Sequence, residues 1–409
     1  GAAQRGTRPL LGCWGLGLEL LGGGSAASRM WRALLLLQAA ARATAGARPL
    51  IISTDPGVDD SIALLLAAAS PEVDLRAVCI NFGSLHNVSQ LAHNALAVLA
   101  LAGREDVPVY LGASDPLAVP FHDLGGPSFH GVDGLGGAPL PVQPKHGVNM
   151  SKTAAEVIVE ACRHWRPAPV LVSLAPLTNV ALALALEPRL PVLCPTLYMM
   201  GGTILEAGNV SPVAEANIAN DAEAACRVFA AGFDLHVAPL DVTMSTWLDT
   251  TYLESLRGLP SPAGSFVWNI TRFYTRAYRN VGGFVDGMPL HDPSALLMFL
   301  RPELYETRRW QAVIDTSPYP SMTRGMVIAD RRGAVDAGPA PGTSQAQLRA
   351  PAGRAQHGGG PLSPPPPPNA TLHFALSAKF EALRDFLRER LATLPRDSEA
   401  SQRERLMYE

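Results

Sequence analysis

The stretch Ile51-Ile-Ser-Thr-Asp-Pro-Gly-Val-Asp-Asp60 carries the strongest structural and chemical signal in the sequence. A short apolar run ends at Asp55, and Asp59 and Asp60 follow a Pro-Gly turn. An amphipathic helix pattern begins at once, and open α/β sheets place their ligands at such strand-to-helix turns. Three acids held this close would repel one another, so the motif predicts a hard cation between them. Helix capping is the alternative explanation, but capping requires only one acid.

From Pro49 onwards, apolar strand-like runs alternate with helical patterns. The predicted strands are Leu50–Ser53, Asp74–Ile80, Val107–Tyr110, Pro169–Leu174, Thr196–Met200 and Leu235–Ala238. The predicted helices are Asp59–Ala69, Val88–Leu101, Thr153–Trp165, Thr178–Leu186 and Asp221–Ala231, and residues 250–300 are expected to be mostly helical. Alternation at this spacing indicates an α/β fold, with a mainly parallel open sheet and helices on both faces.

The composition limits the class of protein. The chain has 409 residues, 47% of them hydrophobic and 17% charged, which suits either one large α/β domain or two smaller ones. The net charge of -3 gives no reason to expect a nucleic-acid partner. The cysteines lack C-x-x-C spacing and are interpreted as buried thiols rather than a disulfide framework or a zinc site. They are Cys13, Cys79, Cys162, Cys194 and Cys226.

Residues 1–47 are predicted to be a leader that precedes the folded domain. Met30 is followed by Trp-Arg, the apolar run Ala33-Leu-Leu-Leu-Leu37 and small residues, which predicts a secretory signal peptide within residues 30–45. The apolar run is too short to span a membrane. A disordered Ala-rich leader is the alternative. A signal peptide implies a secreted or extracellular protein; without one, the protein is expected in the cytoplasm.

The domain itself is predicted to span residues 48–394, with one insertion. Residues 331–368 are rich in Gly, Ala, Gln and Pro, which predicts a disordered surface insertion. A strand, Thr371–Ala375, and a helix, Leu376–Leu391, follow it. Apolar side chains along one helix face predict that this helix docks on the domain. Residues 395–409 form a charged tail that is expected to fray.

Two further segments carry side chains suited to a small ligand. The Gly/Pro/His-rich residues 114–147 predict a functional flap, in which His130 is a candidate substrate contact. Asn209, Glu215 and Asn217 suit a polyhydroxy ligand, because each sugar hydroxyl both donates and accepts hydrogen bonds. An ordinary glycine-rich loop and turn-forming Asn residues are the alternative explanations.

A third motif sets His291 and Asp292 directly before a predicted helix. Asp292 fits the N-cap of that helix, with Pro293 at its first position, so capping alone explains the acid. Capping does not explain His291, which is a candidate acid or aromatic contact.

Together these motifs resemble those of the inosine–uridine-preferring nucleoside hydrolase family. They occur in the family's order as Asp55-Pro-Gly-Val-Asp-Asp60, His130-Gly-Val-Asp-Gly, Leu177-Thr-Asn179, Met200-Gly-Gly202, Asn209 with Val213-Ala-Glu-Ala-Asn217, and His291-Asp-Pro293. The resemblance covers Pro49 to about Asp330 and resumes at Thr371–Leu391. It implies a single Rossmann-like domain, one tightly bound Ca²⁺, a ribonucleoside substrate, and a homodimer or homotetramer.

The resemblance also implies a role for each matched residue. The expected Ca²⁺ ligands are the carboxylates of Asp55, Asp60 and Asp292 and the backbone carbonyl of Leu174. The residues matched to ribose contacts are Asp59, Asn209, Glu215 and Asn217. The residues matched to the region around the base are His130, Tyr274, Tyr278 and His291.

The implied reaction is hydrolysis of the N-glycosidic bond of a ribonucleoside to free base and ribose. Asp55 is expected to take a proton from a Ca²⁺-bound water that attacks C1′ of the ribose. The transition state would be oxocarbenium-like, and buried carboxylates and amide oxygens would stabilise it. His291 is the candidate proton donor to the leaving base. The sequence does not indicate which base is preferred.

The sequence departs from the family pattern at a few positions. Ser53 replaces an acid, Ala216 replaces an aromatic residue of some members, and Ser84 replaces an Asn beside the ribose, unless Asn87 supplies that contact. These changes keep open a non-catalytic protein that binds Ca²⁺ and a nucleoside. An aspartyl-phosphate phosphohydrolase is a weaker alternative, because its nucleophilic Asp would stand at the position of Ser53.

Overall fold

The computed structural model describes residues 46–282, 286–332 and 371–396. The predicted signal peptide, nearly all of the predicted insertion and most of the charged tail lie outside these ranges. Among the described residues, no helix is both long enough and apolar enough to cross a membrane.

The central feature is an eight-stranded sheet. Its strands are β1 (Arg48–Thr54), β2 (Val73–Ile80), β3 (Val109–Leu111), β4 (Val170–Ser173), β5 (Thr196–Met200), β6 (Asp234–Ala238), β9 (Tyr305–Arg309) and β12 (Thr371–Ala378). Two small antiparallel pairs lie outside it, β7 (Trp247–Leu248) with β8 (Met288–Pro289), and β10 (Gln311–Ile314) with β11 (Val327–Asp330).

The strand order is β3-β2-β1-β4-β5-β6-β12-β9. Every pair from β3 to β12 is parallel, and only β9 runs antiparallel, against β12. The chain moves from β1 outwards through β2 to β3 and then returns to the other side of β1 as β4. This reversal creates a crevice at the carboxyl ends of β1 and β4, where open α/β sheets bind ligands.

Helices cover both faces of the sheet. They are α1 (Val58–Ala69), α2 (Val88–Leu101), α3 (Gly126–His130), α4 (Ala154–His164), α5 (Thr178–Leu186), α6 (Leu190–Leu193), α7 (Ala216–Asn220), α8 (Ala222–Phe229), α9 (Leu240–Thr243), α10 (Thr250–Ser255), α11 (Pro262–Gly282), α12 (His291–Leu300) and α13 (Phe380–Ala392). Short 3₁₀ turns lie at Leu256–Gly258 and Pro302–Leu304.

Strand β1 shows why the sheet is buried on both sides. Leu50 and Ile52 join one apolar cluster and Ile51 joins the other, because successive side chains of a strand point to opposite faces. All three side chains are fully buried. A continuous apolar run is therefore what a central parallel strand requires, and the predicted fold class is confirmed.

The main sequence errors lie at the carboxyl-terminal edge of the sheet. The strand predicted to end at Ala375 continues to Ala378, and the following helix begins at Phe380 rather than Leu376. The extension arises because Ser377 and Ala378 pair with β9. Strands β9, β10 and β11 were not predicted at all. The docking of the last helix is confirmed, since Leu383 and Leu387 are fully buried in the core.

The interpretation of all cysteines as thiols is wrong for one pair. Cys162 and Cys194 form a disulfide, with their Cα atoms 5.5 Å apart. Cys162 lies in the last turns of α4 and Cys194 follows α6, so the packing of these two helices brings together residues 32 positions apart. Sequence spacing carried no signal for this contact. Cys79 and Cys226 are free.

Candidate active site

A cavity of about 490 Å³ opens at the carboxyl ends of the parallel strands. Its wall includes Asp55, Gly83, Leu174, Met200 and Leu240, which lie at or shortly after the carboxyl ends of β1, β2, β4, β5 and β6. Every residue proposed for the site from the sequence lines it: Asp55, Asp59, Asp60, His130, Leu174, Asn209, Glu215, Asn217, Tyr274, Tyr278, His291 and Asp292. The fold thus brings together six separate segments of the chain, and the role of each side chain follows from its contacts.

Three carboxylates form a tight group at the base of the cavity. Oxygen atoms of Asp59, Asp60 and Asp292 all lie within 4.8 Å of one another, and the three residues are buried. Asp59 and Asp60 occupy the first turn of α1, and Asp292 occupies the first turn of α12. Asp55 lines the same cavity but is not one of these three. Asp59, which was matched to the ribose, is therefore also placed where a cation would bind.

The Pro-Gly turn orients Asp60 through backbone donors. The Oδ2 atom of Asp60 accepts a hydrogen bond from the Gly57 N–H (3.1 Å), and its Oδ1 atom accepts from the Asp55 N–H (3.2 Å) and the Thr54 hydroxyl. A side chain at Gly57 would collide with the imidazole of His130. Glycine is therefore required at this position so that the flap can approach the turn.

Gly83 and Ser84 hold Asp55 from the end of the neighbouring strand. The Ser84 N–H donates to Oδ2 of Asp55, and the Ser84 hydroxyl donates to the Asp55 carbonyl. A Cβ atom at Gly83 would collide with the same Oδ2 atom. The sequence marked Ser84 only as a departure from the family, yet it positions the first acid. Asn87 instead caps α2 by accepting from the Gln90 N–H, and it is not among the lining residues.

Ser53 is not among the described residues that line the cavity. It is buried in β1, and its hydroxyl accepts a hydrogen bond from the Asn179 amide (3.1 Å). The same amide donates to the Ile80 carbonyl, and its oxygen accepts from the Ala113 N–H. Ser53 therefore belongs to a polar network in which Asn179 links β1 to the Ile80 carbonyl and the Ala113 N–H.

The electrostatics of the site call for a positive charge. Burial, followed by repulsion from Asp60, raises the pKa of Asp55 well above its ordinary value. Burial and repulsion from Asp59, Asp60 and Asp55 do the same to the pKa of Asp292. No Lys or Arg is present among the described lining residues. A hard divalent cation fits this donor set, because buried carboxylates need an opposite charge and such cations prefer oxygen ligands.

A wall of amide and carboxylate groups faces the acids. Glu215 caps α7 and accepts from the backbone N–H groups of Gly202 (2.8 Å), Asn217 (2.8 Å) and Ile218 (3.1 Å). Burial is the main reason that its pKa rises to about 7. The Asn217 amide donates to the Leu174 carbonyl (2.9 Å), and Leu174 lines the cavity.

Asn209 stands on the loop that closes this wall. Its side-chain oxygen accepts from the Ala216 N–H at 2.9 Å, which ties the loop to α7. The Asn209 amide nitrogen then remains to donate to a ligand, while Glu215 retains acceptor capacity. This mixture of donors and acceptors suits vicinal hydroxyl groups.

Aromatic side chains form the opposite end of the cavity. Tyr274 and Tyr278 are four residues apart on α11, so both project from one face of that helix. Tyr274 donates to Oδ2 of Asp59 (3.4 Å), and its ring contacts those of Phe129 and His130. Phe129, which was not predicted, also packs against Tyr278. Such a surface suits a planar heterocycle.

Both histidines of the aromatic end are neutral near pH 7. Burial lowers the pKa of His130 to about 4 and that of His291 to about 3. The Nδ1 atom of His130 accepts from the Val58 N–H at 3.1 Å, so its proton lies on Nε2. His291 has hydrogen-bonding partners at both nitrogens, Tyr278 and Thr243, each at 2.7 Å.

A second group of potential metal ligands lies elsewhere. Asp234, His236 and His373 meet near the amino-terminal ends of β6 and β12, at the sheet edge opposite the cavity. Each imidazole Nε2 atom is paired with a carboxylate oxygen of Asp234, at 3.4 and 3.0 Å. The two rings stack with centroids 4.5 Å apart. These contacts link β6 to β12 and explain why the three side chains lie together.

Comparisons with known proteins agree with this geometry. Residues 50–352 match the sequence profile described as inosine-uridine preferring nucleoside hydrolase. The chain is 38% identical over 290 residues to the pyrimidine-specific ribonucleoside hydrolase RihA of Photobacterium profundum, covering 69% of this chain and 89% of that protein. It is 36% identical to an uncharacterized protein of Schizosaccharomyces pombe, covering 69% of this chain and 88% of the yeast protein.

A solved structure shows the same fold. The purine-preferring ribonucleoside hydrolase from Gardnerella vaginalis superimposes with a TM-score of 0.71 at 27% identity, covering 84% of this chain and 98% of that one. The profile match spans about three quarters of the sequence, and the site residues all fall within it. The chain belongs to the inosine-uridine preferring nucleoside hydrolase family and is a nucleoside hydrolase.

Proposed function

We propose that the protein cleaves the N-glycosidic bond of ribonucleosides with a Ca²⁺ ion held by its buried carboxylates and with Asp55 as the general base. One observation carries the proposal: the carboxylate group, the amide wall and the aromatic end line a single cavity. These three surfaces match the reacting centre, the ribose and the base of a nucleoside. The family assignment supports the reaction class.

Asp55, Asp60 and Asp292 are the proposed carboxylate ligands, with the Leu174 carbonyl as a neutral one. Asp59 is close enough to Asp60 and Asp292 to contribute as well. The number and hardness of these oxygens favour Ca²⁺ over a transition metal. The bound cation would lower the pKa of a coordinated water and orient the ribose hydroxyls.

Asp55 acts on the attacking water. Its carboxylate is fixed by the Ser84 N–H and lines the cavity. A carboxylate held in place beside a coordinated water suits the acceptance of a proton during attack on C1′. Glu215 and Asn217 hold the ribose hydroxyls, and the buried oxygens around the sugar favour developing positive charge.

His291 and Tyr278 act on the leaving base. Their hydrogen bond of 2.7 Å joins an imidazole nitrogen to a phenol at the aromatic end of the cavity. Tyr278 would transfer its O–H proton to the departing base, and the Nε2–H of neutral His291 would stabilise the phenolate by a hydrogen bond until water reprotonates it. The pair is therefore proposed as the source of the proton that the base requires on departure.

The proposal also includes secretion of the protein and its assembly into an oligomer. The Cys162–Cys194 disulfide supports secretion, since such bonds persist in oxidising compartments.

A homodimer or homotetramer is proposed on the family resemblance. Sedimentation equilibrium of the purified protein reads the assembly directly, and a monomer at micromolar concentration would contradict it.

Release of free ribose tests the function. The full-length protein is incubated with inosine, uridine, adenosine and cytidine in calcium-containing buffer, beside Asp55→Ala. The relatives carry names with opposite base preferences, so the panel must include both classes. Ribose release by the wild type and its loss in the variant are expected. A folded, calcium-loaded protein that releases ribose from none of the four would overturn the proposal.

A further inference from the structure

One buried amide joins two loops of the cavity. Asn94 lies on α2, is 1% exposed and is not among the described lining residues. Its Nδ2 atom donates to the Pro56 carbonyl at 3.0 Å and to the Asp133 carbonyl at 2.8 Å. Its Oδ1 atom accepts from the Gln90 amide at 2.9 Å. Both amide hydrogens are therefore used to connect separate backbone segments.

The two carbonyls belong to the segments that carry the opposite ends of the site. Pro56 directly follows Asp55 in the turn that leads to Asp59 and Asp60. Asp133 lies in the segment His130–Gly137, called here the flap turn, which carries His130. Asn94 thus sets the distance between the carboxylates and the residue that faces the base.

The flap turn is a unit with its own internal bonds. Asp133 accepts from the N–H groups of Leu135 (3.0 Å) and Gly137 (3.1 Å), and the Gly136 N–H donates to the His130 carbonyl (2.7 Å). A side chain at Gly134 would press against the Asn94 amide, so the backbone passes directly over it. A segment braced in this way moves as a whole if it is released.

The other polar contacts that the described residues make between the flap turn and the carboxylate turn run through His130. The Val58 N–H donates to Nδ1 of His130, and the same nitrogen lies 3.9 Å from Oδ1 of Asp59. In the proposed function, this imidazole also faces the substrate. The Asn94 bridge is buried and remote from the ligand, so it is suited to keep the flap turn in place whether or not a ligand is bound.

We propose that Asn94 is a positioning residue, which holds the flap turn against the carboxylate turn and thereby sets the affinity for the nucleoside rather than the rate of bond cleavage. The kinetic part of this inference rests on the proposed function. The structural part does not, because it concerns the backbone of residues 130–137 alone.

Two substitutions of Asn94 remove its donated hydrogen bonds to different extents. Asn94→Leu keeps the approximate volume but removes both donors and leaves two carbonyls unpaired, and Asn94→Ser retains one short donor. Gln90→Leu is the matched control, because it removes the contact to Oδ1 and leaves both donated bonds intact. In Asn94→Leu, KM should rise roughly tenfold or more with kcat within about threefold, and Asn94→Ser should lie between it and the wild type.

Hydrogen exchange measured by mass spectrometry reports how firmly the flap turn is held, and it does not depend on enzyme activity. Amides of residues 130–137 should exchange faster in Asn94→Leu and Asn94→Ser than in the wild type and Gln90→Leu. Peptides from β4 and β5 should be unchanged. Faster exchange throughout the domain, or no change in the flap turn, would overturn the proposal, as would a fall in kcat at constant KM. If no variant and no wild type releases ribose, the proposed reaction fails while the exchange result still decides the role of Asn94.

Discussion

The phenol oxygen of Tyr278 lies 2.7 Å from Nε2 of His291, although the two residues come from different helices. Tyr278 is on α11, and His291 begins α12. The two helices are connected through residues 283–290 and converge at the aromatic end of the cavity. A phenol paired in this way can give up its proton while the imidazole N–H stabilises the phenolate.

Tyr278→Phe tests this unit. The variant should lower kcat on nucleosides by about 10²-fold, since a general acid contributes at least that much. It should change hydrolysis of 4-nitrophenyl riboside little, because that leaving group departs without a proton. Tyr252→Phe is the control, as its hydroxyl binds the Arg384 carbonyl away from the cavity. Equal losses on both substrates would show that Tyr278 supports binding or folding instead.

Gly83→Ala tests the placement of Asp55. The added methyl group would collide with Oδ2 of Asp55, so kcat should fall by about 10²-fold, the loss expected when a reacting group is displaced by an ångström. Gly147→Ala is the control, because no atom lies within 4 Å of a Cβ at that position. Steady-state ribose release measures both. Wild-type kcat in Gly83→Ala would mean that Asp55 need not occupy this position.

Removal of calcium should destabilise the protein. Four buried aspartates line the cavity and no Lys or Arg is among its described lining residues, so the repulsion between these aspartates is expected to return when the cation is withdrawn. Calcium at 100 times its Kd adds about 2.7 kcal/mol of stability. Differential scanning calorimetry should therefore show a lower Tm with a calcium chelator in the wild type.

Asp60→Asn should lose most of that calcium-dependent shift in Tm, because it removes one carboxylate of the tight group. Asp115→Asn changes an exposed acid outside the cavity and should retain the full shift. A chelator that leaves the Tm of the wild type unchanged would contradict a resident cation.

The neutral His130 should make stability depend on pH. Its pKa is about 4 in the folded protein against 6.5 ordinarily, so the unfolded chain binds the extra proton between these values. Its contribution is complete above pH 6.5 and decreases as pH falls towards 4, by roughly 3 kcal/mol at most. The measurement is the difference in unfolding free energy between wild type and His130→Gln in saturating calcium.

That difference should shrink as pH is lowered from 7 to 4. The comparison with His130→Gln is needed because it removes the imidazole and leaves the other titratable groups of the cavity in place. A difference that stays constant with pH would show that His130 is not buried as a neutral group.

The disulfide should contribute to stability. The bond joins residues 32 positions apart, and loop closure of that size is worth roughly 3 to 4 kcal/mol. Cys162→Ala/Cys194→Ala should therefore unfold at lower denaturant concentration, and dithiothreitol should lower the midpoint of the wild type but not that of this double variant. Cys226→Ala, at a free and partly exposed thiol, should change the midpoint little. A midpoint insensitive to reduction would contradict the bond.

The sequence was sufficient for the central strands because their signal is local. The run from Leu50 to Ile52 is apolar on both faces, and Pro56-Gly57 ends it, so strand, turn and helix follow from neighbouring residues alone. Strand β9 carried no such signal. Its sequence, Tyr305-Glu-Thr-Arg-Arg309, is largely exposed and forms a strand only because β12 offers an open edge.

The sequence alone determined the fold class, the family and the acids and amides that were expected in the cavity, because motif chemistry and strand order place these groups at the carboxyl ends of the strands. Only the tertiary structure decided which groups touch. Ser84 holds Asp55, Asn94 joins the carboxylate turn to the flap turn, and Cys162 meets Cys194. The physical reason is range: hydrogen bonds and disulfides act over about 3 Å between residues far apart in sequence, and neither periodicity nor composition encodes those distances.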